Sequence, residues 1–266
     1  MFELLLIAIA LYLFATRCRK DHPGWKNLQG WSYAHRGLHG NGIPENSMAA
    51  FKAALDHGYG IELDVHLLKD GNLAVIHDSL LNRTTGQAGH IEDLTTEQLK
   101  EYHLQGTEET IPEFMDVLTL CNGKAPLIIE LKPENGNQDA LAEATCKMLE
   151  TYKGVFCIES FDPRCVAWLK KNRPDIIRGF LSENFTKSRS DLPDYLKFAL
   201  THLLTNFTCF PDFVAYKFAD RNDSFSVRIC RQLWKAQGVS WTLKTKEDYD
   251  TAVREGWIPI FEGFCP

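Results

Sequence analysis

Apolar and polar positions alternate regularly from residue 31 to the C-terminus. Short apolar runs of strand length are separated by segments in which apolar residues recur every three or four positions, as on one face of a helix. The eight strand-like runs are WSYAH, GIELDV, PLIIELK, VFCIES, IIRGFL, PDFVAYK, VSWTLK and WIPIFEG. Apolar strands that alternate with amphipathic helices are typical of a parallel sheet covered on both faces. Eight of them in 266 residues predict an α/β fold, a TIM (β/α)8 barrel.

One segment interrupts this alternation after the second strand. LAVIHD is a further extended piece, and residues 79 to 112 then lack long periodic runs. We predict that residues 79–112 form an insertion with one short helix, capped at Thr95 or Thr96. No linker divides residues 31–266, so they are predicted to form one domain, preceded by a polar connector at residues 21–30.

The N-terminal segment has a different character. Its first sixteen residues, MFELLLIAIALYLFAT, carry one charge, Glu3, and are followed by Arg17, Arg19 and Lys20. A secretory signal peptide carries its positive charge before the apolar run, which is not the case here. We predict that residues 1–20 are a membrane anchor with the following domain on the cytoplasmic side, because basic residues flank the run there. The alternative is an amphipathic or buried helix in a soluble cytoplasmic protein.

Charge and cysteine content exclude some classes of protein. The formal net charge is -6 and the pI is about 5.9, whereas a general nucleic-acid binder carries a basic face. The eight cysteines include no CxxC pair, and 44% of the residues are hydrophobic. Such a chain buries a full core without disulfides, so free thiols in a reducing compartment are predicted.

Charged residues lie where the first three barrel strands end. They are His35, Arg36, Glu62, Asp64, Glu130 and Lys132. In a barrel of this type the functional site forms at the carboxyl ends of the strands. Side chains at positions i and i+2 of a strand share one face, so Glu62 and Asp64 both point to the barrel mouth, as do Glu130 and Lys132.

Three carboxylates therefore converge, namely those of Glu62, Asp64 and Glu130. Converging carboxylates repel each other and are costly to desolvate unless a cation lies between them. Ligands that are all oxygen suit Mg²⁺ or Ca²⁺ better than zinc. The sequence therefore predicts a divalent-cation site, and the alternative is a buried ion pair between Glu62 and Lys132.

Two histidines accompany this cluster, His35 after the first strand and His77 in VIHD. Imidazole titrates near neutral pH, so one ring can accept a proton while the other donates one. Arg36 offers a planar fork that fits a phosphate group, and Lys132 offers a compact cation. These groups together indicate chemistry on a phosphodiester.

A series of motifs supports this interpretation. HRG, PENS, IELDV, KDG, VIHD, RTTG, IELK and SF occur in this order, and the sequence over residues 31–266 resembles the glycerophosphodiester phosphodiesterase family. The resemblance implies a TIM barrel with a segment inserted after the second strand. It also implies metal-dependent hydrolysis of glycerophosphodiesters to glycerol 3-phosphate and an alcohol.

The family's residue roles can be transferred by motif. The resemblance implies that His35 and His77 are the acid/base pair and that Arg36 and Lys132 bind the substrate phosphate. It implies that Glu62, Asp64 and Glu130 bind the metal, Mg²⁺ or Ca²⁺. Glu45, in PENS, is expected to support the site.

Some positions depart from the family pattern. Ser47 stands where threonine is usual, and Glu262 stands near a frequent aspartate. These differences preserve the chemistry but leave the leaving alcohol open. Phe161 and Trp241 are expected either to line the alcohol side of the pocket or to pack the barrel top. Two alternatives therefore remain, hydrolysis of lysophospholipids in a lysophospholipase D-like reaction and a non-catalytic barrel that binds lipid headgroups.

Overall fold

Eight parallel strands close into a barrel in the computed structural model, which describes residues 2–188 and 192–266. The strands are β1 (Tyr33–His35), β2 (Gly60–Leu67), β3 (Leu73–Val75), β4 (Leu127–Leu131), β5 (Phe156–Ser160), β6 (Arg178–Ser182), β7 (Phe213–Lys217), β8 (Gln237–Leu243) and β9 (Trp257–Phe261). All except β3 belong to the barrel, and β1 pairs in parallel with both β2 and β9. The predicted barrel is confirmed.

Helices surround the barrel. In chain order they are α1 (Phe2–Ala15), α2 (Met48–Asp56), α3 (Asn82–Thr85), α4 (Phe114–Cys121), α5 (Gln138–Leu149), α6 (Pro163–Asn172), α7 (Asp194–Thr201), α8 (Asn206–Cys209), α9 (Phe225–Gln232) and α10 (Lys246–Arg254). Short 3-10 helices cover Pro23–Asn27, Ile91–Asp93, Thr96–Glu101 and Phe218–Asp220. The segment DSFSVRICRQLWKAQG predicts a helix with Gly238 just past its end; α9 ends instead at Gln232, and Gly238 lies inside β8.

Most residues of the strands are apolar because both faces of the strands are buried. On β4, Ile128 packs inside the barrel, whereas Leu127 and Ile129 pack against the outer helices. On β2, Ile61 and Leu63 also belong to the outer layer. The residues between them point inward, and this alternation directs the polar residues at the strand ends to the barrel mouth.

A small subdomain follows β2. β3 pairs antiparallel with the end of β2, and the chain then forms α3 and two of the 3-10 helices. It has its own apolar cluster, which includes Ile76, Leu81 and Ile91. Thr95 caps the helix Thr96–Glu101 in a capping box with Gln98. The limits of the inserted segment, residues 79–112, stay a prediction.

Helix α1 packs against the barrel only through its C-terminal part. The Tyr12 hydroxyl lies 2.6 Å from the Ser226 hydroxyl on α9, and Arg19 forms an ion pair with Asp212 just before β7. In the described part of the chain, no helix has both the length and the apolar character that crossing a membrane requires. The predicted anchor in residues 1–20 stays a prediction.

Candidate active site

Three carboxylates meet at the carboxyl ends of β2 and β4. One oxygen each from Glu62, Asp64 and Glu130 can be chosen so that all lie within 4.8 Å of one another, and all three residues are buried. The parallel register pairs Asp64 with Glu130 directly across the two strands, which accounts for the close approach. The structure therefore brings together the three residues that the sequence singled out as metal ligands.

The electrostatics of this cluster fit a cation. Burial, together with the charges of Asp64 and Glu130, raises the pKa of Glu62 well above its ordinary value. Burial also raises the pKa of Glu130, with Lys132 opposing the shift. Asp64 Oδ1 and Glu130 Oε1 are buried, and both form ion pairs with Lys132. Carboxylate oxygens of this kind are the ligands that Mg²⁺ and Ca²⁺ prefer, so the donor set fits either ion.

Two side-chain cations lie beside the carboxylates. Lys132 Nζ lies 2.7 Å from Glu130 Oε1 and 3.2 Å from Asp64 Oδ1, so its ion pairs are with these residues and not with Glu62. Burial opposes ionisation of Asp64, but Lys132, His77 and Arg36 together hold its pKa well below the ordinary value. Asp64 therefore carries a full negative charge in this setting.

Arg36 reaches the site because of its backbone conformation. Its φ of 55° lies in the left-handed region, and its backbone N–H donates to Glu62 Oε2 at 3.0 Å. The guanidinium turns toward Asp64, with Nε 3.5 Å from Asp64 Oδ2, and NH1 donates to Glu45 at 2.8 Å. The Arg36 guanidinium therefore lies beside the carboxylate cluster.

His35 is held by a carboxylate from the last barrel strand. Its Nδ1 lies 2.5 Å from Glu262 Oε2, and its Nε2 lies 3.9 Å from Glu62 Oε2. Burial lowers the pKa of His35 to about 4, and the hydrogen bond with Glu262 only partly opposes this shift. The ring is therefore neutral near pH 7. Because Glu262 accepts the Nδ1 proton, Nε2 has a free lone pair that faces the cluster.

His77 is held in a similar way, by its sequence neighbour. Its Nδ1 lies 2.5 Å from Asp78 Oδ1, and Asp78 in turn forms an ion pair with Arg83. Arg83 also binds Glu45, at 2.7 Å, and Glu45 binds Arg36. Glu45 thus links the surroundings of His77 to the arginine beside the carboxylate cluster, and its supporting role stays a prediction.

Several residues of the site were missed by sequence reasoning. Asn46 is a residue type that often caps helices, and its position before MAAFKAALDHG predicts that it caps α2. It donates instead to Asp64 Oδ2 at 2.8 Å, and Ser47 caps α2. His66 lies 2.6 Å from Glu92 and reaches the His77 carbonyl. A histidine whose one ring nitrogen acts in a site commonly has a carboxylate bound to its second ring nitrogen. A search for such carboxylates could have identified Asp78 and Glu262 from the sequence.

The remaining candidates have different surroundings. Phe161 packs edge-on against Trp241, with ring centroids 5.4 Å apart, and lies 5.8 Å from Lys132 Nζ. Phe161 lines a cavity of about 660 Å³ that also touches Glu130 and Lys132. Trp241 packs on the barrel interior and does not line this cavity. Lys217, at the end of β7, donates to Glu183 Oε2 at 2.9 Å.

The sequence model of the glycerophosphoryl diester phosphodiesterase family matches residues 35–261. The chain belongs to this family. A glycerophosphodiester phosphodiesterase of Bacillus altitudinis is 46% identical over 110 residues, covering 39% of this chain and 44% of that protein. A glycerophosphodiester phosphodiesterase of Caldanaerobacter subterraneus is 37% identical over 158 residues, covering 56% of this chain and 65% of that protein. The chain thus spans about half to two thirds of the length of these family members.

Solved structures in the family share the barrel. A phosphodiesterase of Oleispira antarctica, solved in complex with the product sn-glycerol-3-phosphate, has a TM-score of 0.72 at 22% identity, covering 92% of this chain and 95% of its own. A glycerophosphodiester phosphodiesterase of Thermotoga maritima has a TM-score of 0.66 at 24% identity, covering 87% and 93%. At these identities the likeness establishes the fold.

Cation binding can be tested through stability. We expect Mg²⁺ or Ca²⁺ to raise the melting temperature of the metal-stripped protein, because a ligand at a hundredfold excess over its Kd adds about 2.7 kcal/mol to the free energy of unfolding. Asp64→Asn should remove most of this shift. The control is Asp56→Asn, which changes an exposed aspartate on α2. A cation-induced shift that is the same in Asp64→Asn and in the wild type would disprove the site.

The role of Glu262 can be tested by Glu262→Gln. The amide can donate to Nδ1 of His35 and so place the ring proton on Nε2, as happens when the carboxylate partner of a catalytic histidine is amidated. We expect kcat on glycerophosphocholine to fall by roughly a hundredfold or more. Glu247→Gln, an exposed change on α10, should keep wild-type kcat. A loss below about threefold would show that Glu262 does not orient His35.

Proposed function

We propose that this chain hydrolyses glycerophosphodiesters to glycerol 3-phosphate and an alcohol, with a divalent cation at Glu62, Asp64 and Glu130. The observation that carries the proposal is a pair of imidazoles beside this cluster, each oriented by its own carboxylate. His35 is held by Glu262 and His77 by Asp78. An acid/base pair next to a metal and phosphate site is what phosphodiester hydrolysis requires.

Each side chain has a defined task in this proposal. His35 is neutral and directs Nε2 at the site, so it takes the proton from the hydroxyl or water that attacks phosphorus. His77 gives a proton to the oxygen of the leaving alcohol as the P–O bond breaks. Arg36 and Lys132 bind the phosphoryl oxygens and stabilise the charge that builds up on them. A cation bound to the carboxylates supplies further charge neutralisation there.

The family and its members support the substrate class. The family and the two bacterial relatives are named for glycerophosphodiesters. The Oleispira antarctica phosphodiesterase was solved with sn-glycerol-3-phosphate as its product, which is the product that we propose for this chain.

Release of glycerol 3-phosphate from glycerophosphocholine tests the reaction. We expect activity with added Mg²⁺ or Ca²⁺ and loss of activity with a chelator. His35→Ala and His77→Ala should each lower kcat by at least about a hundredfold, as for loss of a general acid or base. His103→Ala, an exposed histidine outside the site, is the control. Near-normal turnover in either variant contradicts its role, and no release from any glycerophosphodiester favours a headgroup-binding barrel.

A cavity beside the site favours a second substrate class, the lysophospholipids. It has a volume of about 660 Å³, within the range of small-molecule sites. Besides Glu130 and Lys132, its lining includes five large apolar side chains, those of Phe161, Phe185, Leu192, Leu196 and Leu200. A lysophospholipid would bury its single acyl chain here while its phosphate lies beside the carboxylate cluster. Water then cleaves the bond between phosphorus and the headgroup oxygen, which releases the headgroup alcohol and leaves the acyl chain on the phosphate product, as in a lysophospholipase D-like reaction.

A matched pair of substrates tests this second candidate. Each buried CH₂ contributes about 0.8 kcal/mol, so kcat/KM for lysophosphatidylcholines should rise with chain length until the cavity is filled. Leu196→Asp should lower kcat/KM for the longest of these by about tenfold or more and leave glycerophosphocholine unaffected. Leu233→Asp, an exposed leucine at the end of α9, is the control. Equal losses on both substrates would show that the cavity does not hold the chain.

A further inference from the structure

The direction of helix α1 relative to the barrel places its free end at the catalytic rim. α9 follows β7, so its first residues lie at the carboxyl end of the barrel strands. Tyr12 contacts Ser226 at the start of α9, and the Thr16 carbonyl accepts from Cys230 one turn further along. α1 therefore runs parallel to α9, toward the amino ends of the strands. Its residues before Tyr12 lie beyond the catalytic rim.

The free part of α1 is long enough to reach across one leaflet of a bilayer. The ten steps from Phe2 to Tyr12 span about 15 Å at 1.5 Å per residue. None of the residues of α1 is buried; Leu4 is 72% and Leu11 is 63% exposed. About 15 Å is half of the roughly 30 Å hydrocarbon core of a bilayer, which is the depth of one leaflet.

The side chains of this free part indicate which kind of partner, a protein groove or lipid, contacts it. A helix that docks into a groove of a protein has one apolar face and one polar face. Residues 4–11 read LLLIAIAL and have no polar face; Glu3, the second residue of the helix, is the only charge in α1. A helix that is apolar on every side can bury all of its faces only in a solvent that surrounds it, and the hydrocarbon of a lipid bilayer is such a solvent.

A second apolar surface lies beside α1. On α7, Tyr195 is 71% and Phe198 is 56% exposed, whereas Leu196 and Leu200 of the same helix line the cavity. α7 leads into His202, whose Nδ1 lies 3.1 Å from the hydroxyl of Ser224, the residue that precedes α9. The end of α7 and Tyr12 of α1 thus meet at the same end of α9. Exposed Tyr and Phe at this position are typical of membrane interfaces.

We propose that residues 2–11 insert into one leaflet of a lipid membrane and that the outer face of α7 rests on its surface, so that the catalytic mouth faces lipid. The contact with lipid does not depend on the proposed reaction. Together with that reaction, it places the cavity entrance where an amphiphile with one acyl chain can enter from the membrane. A second copy of the chain is the competing partner, and the experiment below distinguishes it.

Flotation with vesicles of dioleoylphosphatidylcholine tests the insertion on the full chain. We expect the wild type to float with the vesicles. The double variant Leu6→Glu with Ile9→Glu should bind at least about a hundredfold more weakly, because each charge is costly in hydrocarbon. Leu233→Glu with Val253→Glu changes exposed apolar residues of α9 and α10 and should float like the wild type. Hydrolysis of glycerophosphocholine at the wild-type rate shows that the double variants are folded.

Hydrogen exchange on the same vesicles tests the orientation. We expect protection of residues 2–11 and of α7, and none in residues 172–176, at the opposite end of the barrel before β6. Protection of residues 172–176 without protection of α7 would overturn the orientation. Failure of the wild type to float would overturn the proposal. The proposal would also be overturned if the wild type were a dimer in the absence of vesicles and the Leu6→Glu, Ile9→Glu variant were a monomer, because α1 would then contact a second copy of the chain. If the wild type floats but releases no glycerol 3-phosphate, only the proposed reaction fails.

Discussion

The crowding of carboxylates at the barrel mouth is the constraint on which the rest of the site depends. Glu62, Asp64 and Glu130 are all buried, and Glu159 on the next strand lies directly across from Glu130 in the register. Burial and the charge of Glu130 raise the pKa of Glu159 well above its ordinary value. Uncompensated charges in such a setting are destabilising. Lys132 therefore contributes to folding, because it is paired with two of these carboxylates.

Charge pairing also fixes the orientation of the two histidines. An imidazole can move a proton in a defined direction only if its other nitrogen is fixed. Glu262 fixes His35, and Lys244 holds Glu262 at 2.8 Å. Asp78 fixes His77, and Arg83 holds Asp78. Each imidazole therefore has a carboxylate partner, and each carboxylate has a cation, so the orientation of both rings is set by charge pairs and not by packing alone.

This arrangement explains what could be predicted from the sequence. Glu62 and Asp64 are two residues apart on one strand, so their convergence follows from strand geometry. The contact between His35 and Glu262 joins residues 227 positions apart, and only closure of the barrel by β1 and β9 brings these ends together. Asn46 is a good helix cap by residue type, but the neighbouring Ser47 can serve equally, which leaves Asn46 for Asp64. Local patterns do not distinguish such neighbours.

Helix α1 illustrates the other limit of local reasoning. Its composition identifies it as an apolar helix, but composition says nothing about which end of the barrel it leaves from. The barrel sets the direction, because Arg19 must reach Asp212 before β7 and Tyr12 must reach the start of α9. The exposed apolar residues of α1 and α7 are thereby placed around one end of α9, and α7 carries the cavity wall on its other face. Because α7 carries both the exposed apolar surface and part of the apolar cavity wall, a single function that uses both, contact with lipid, is the simpler explanation.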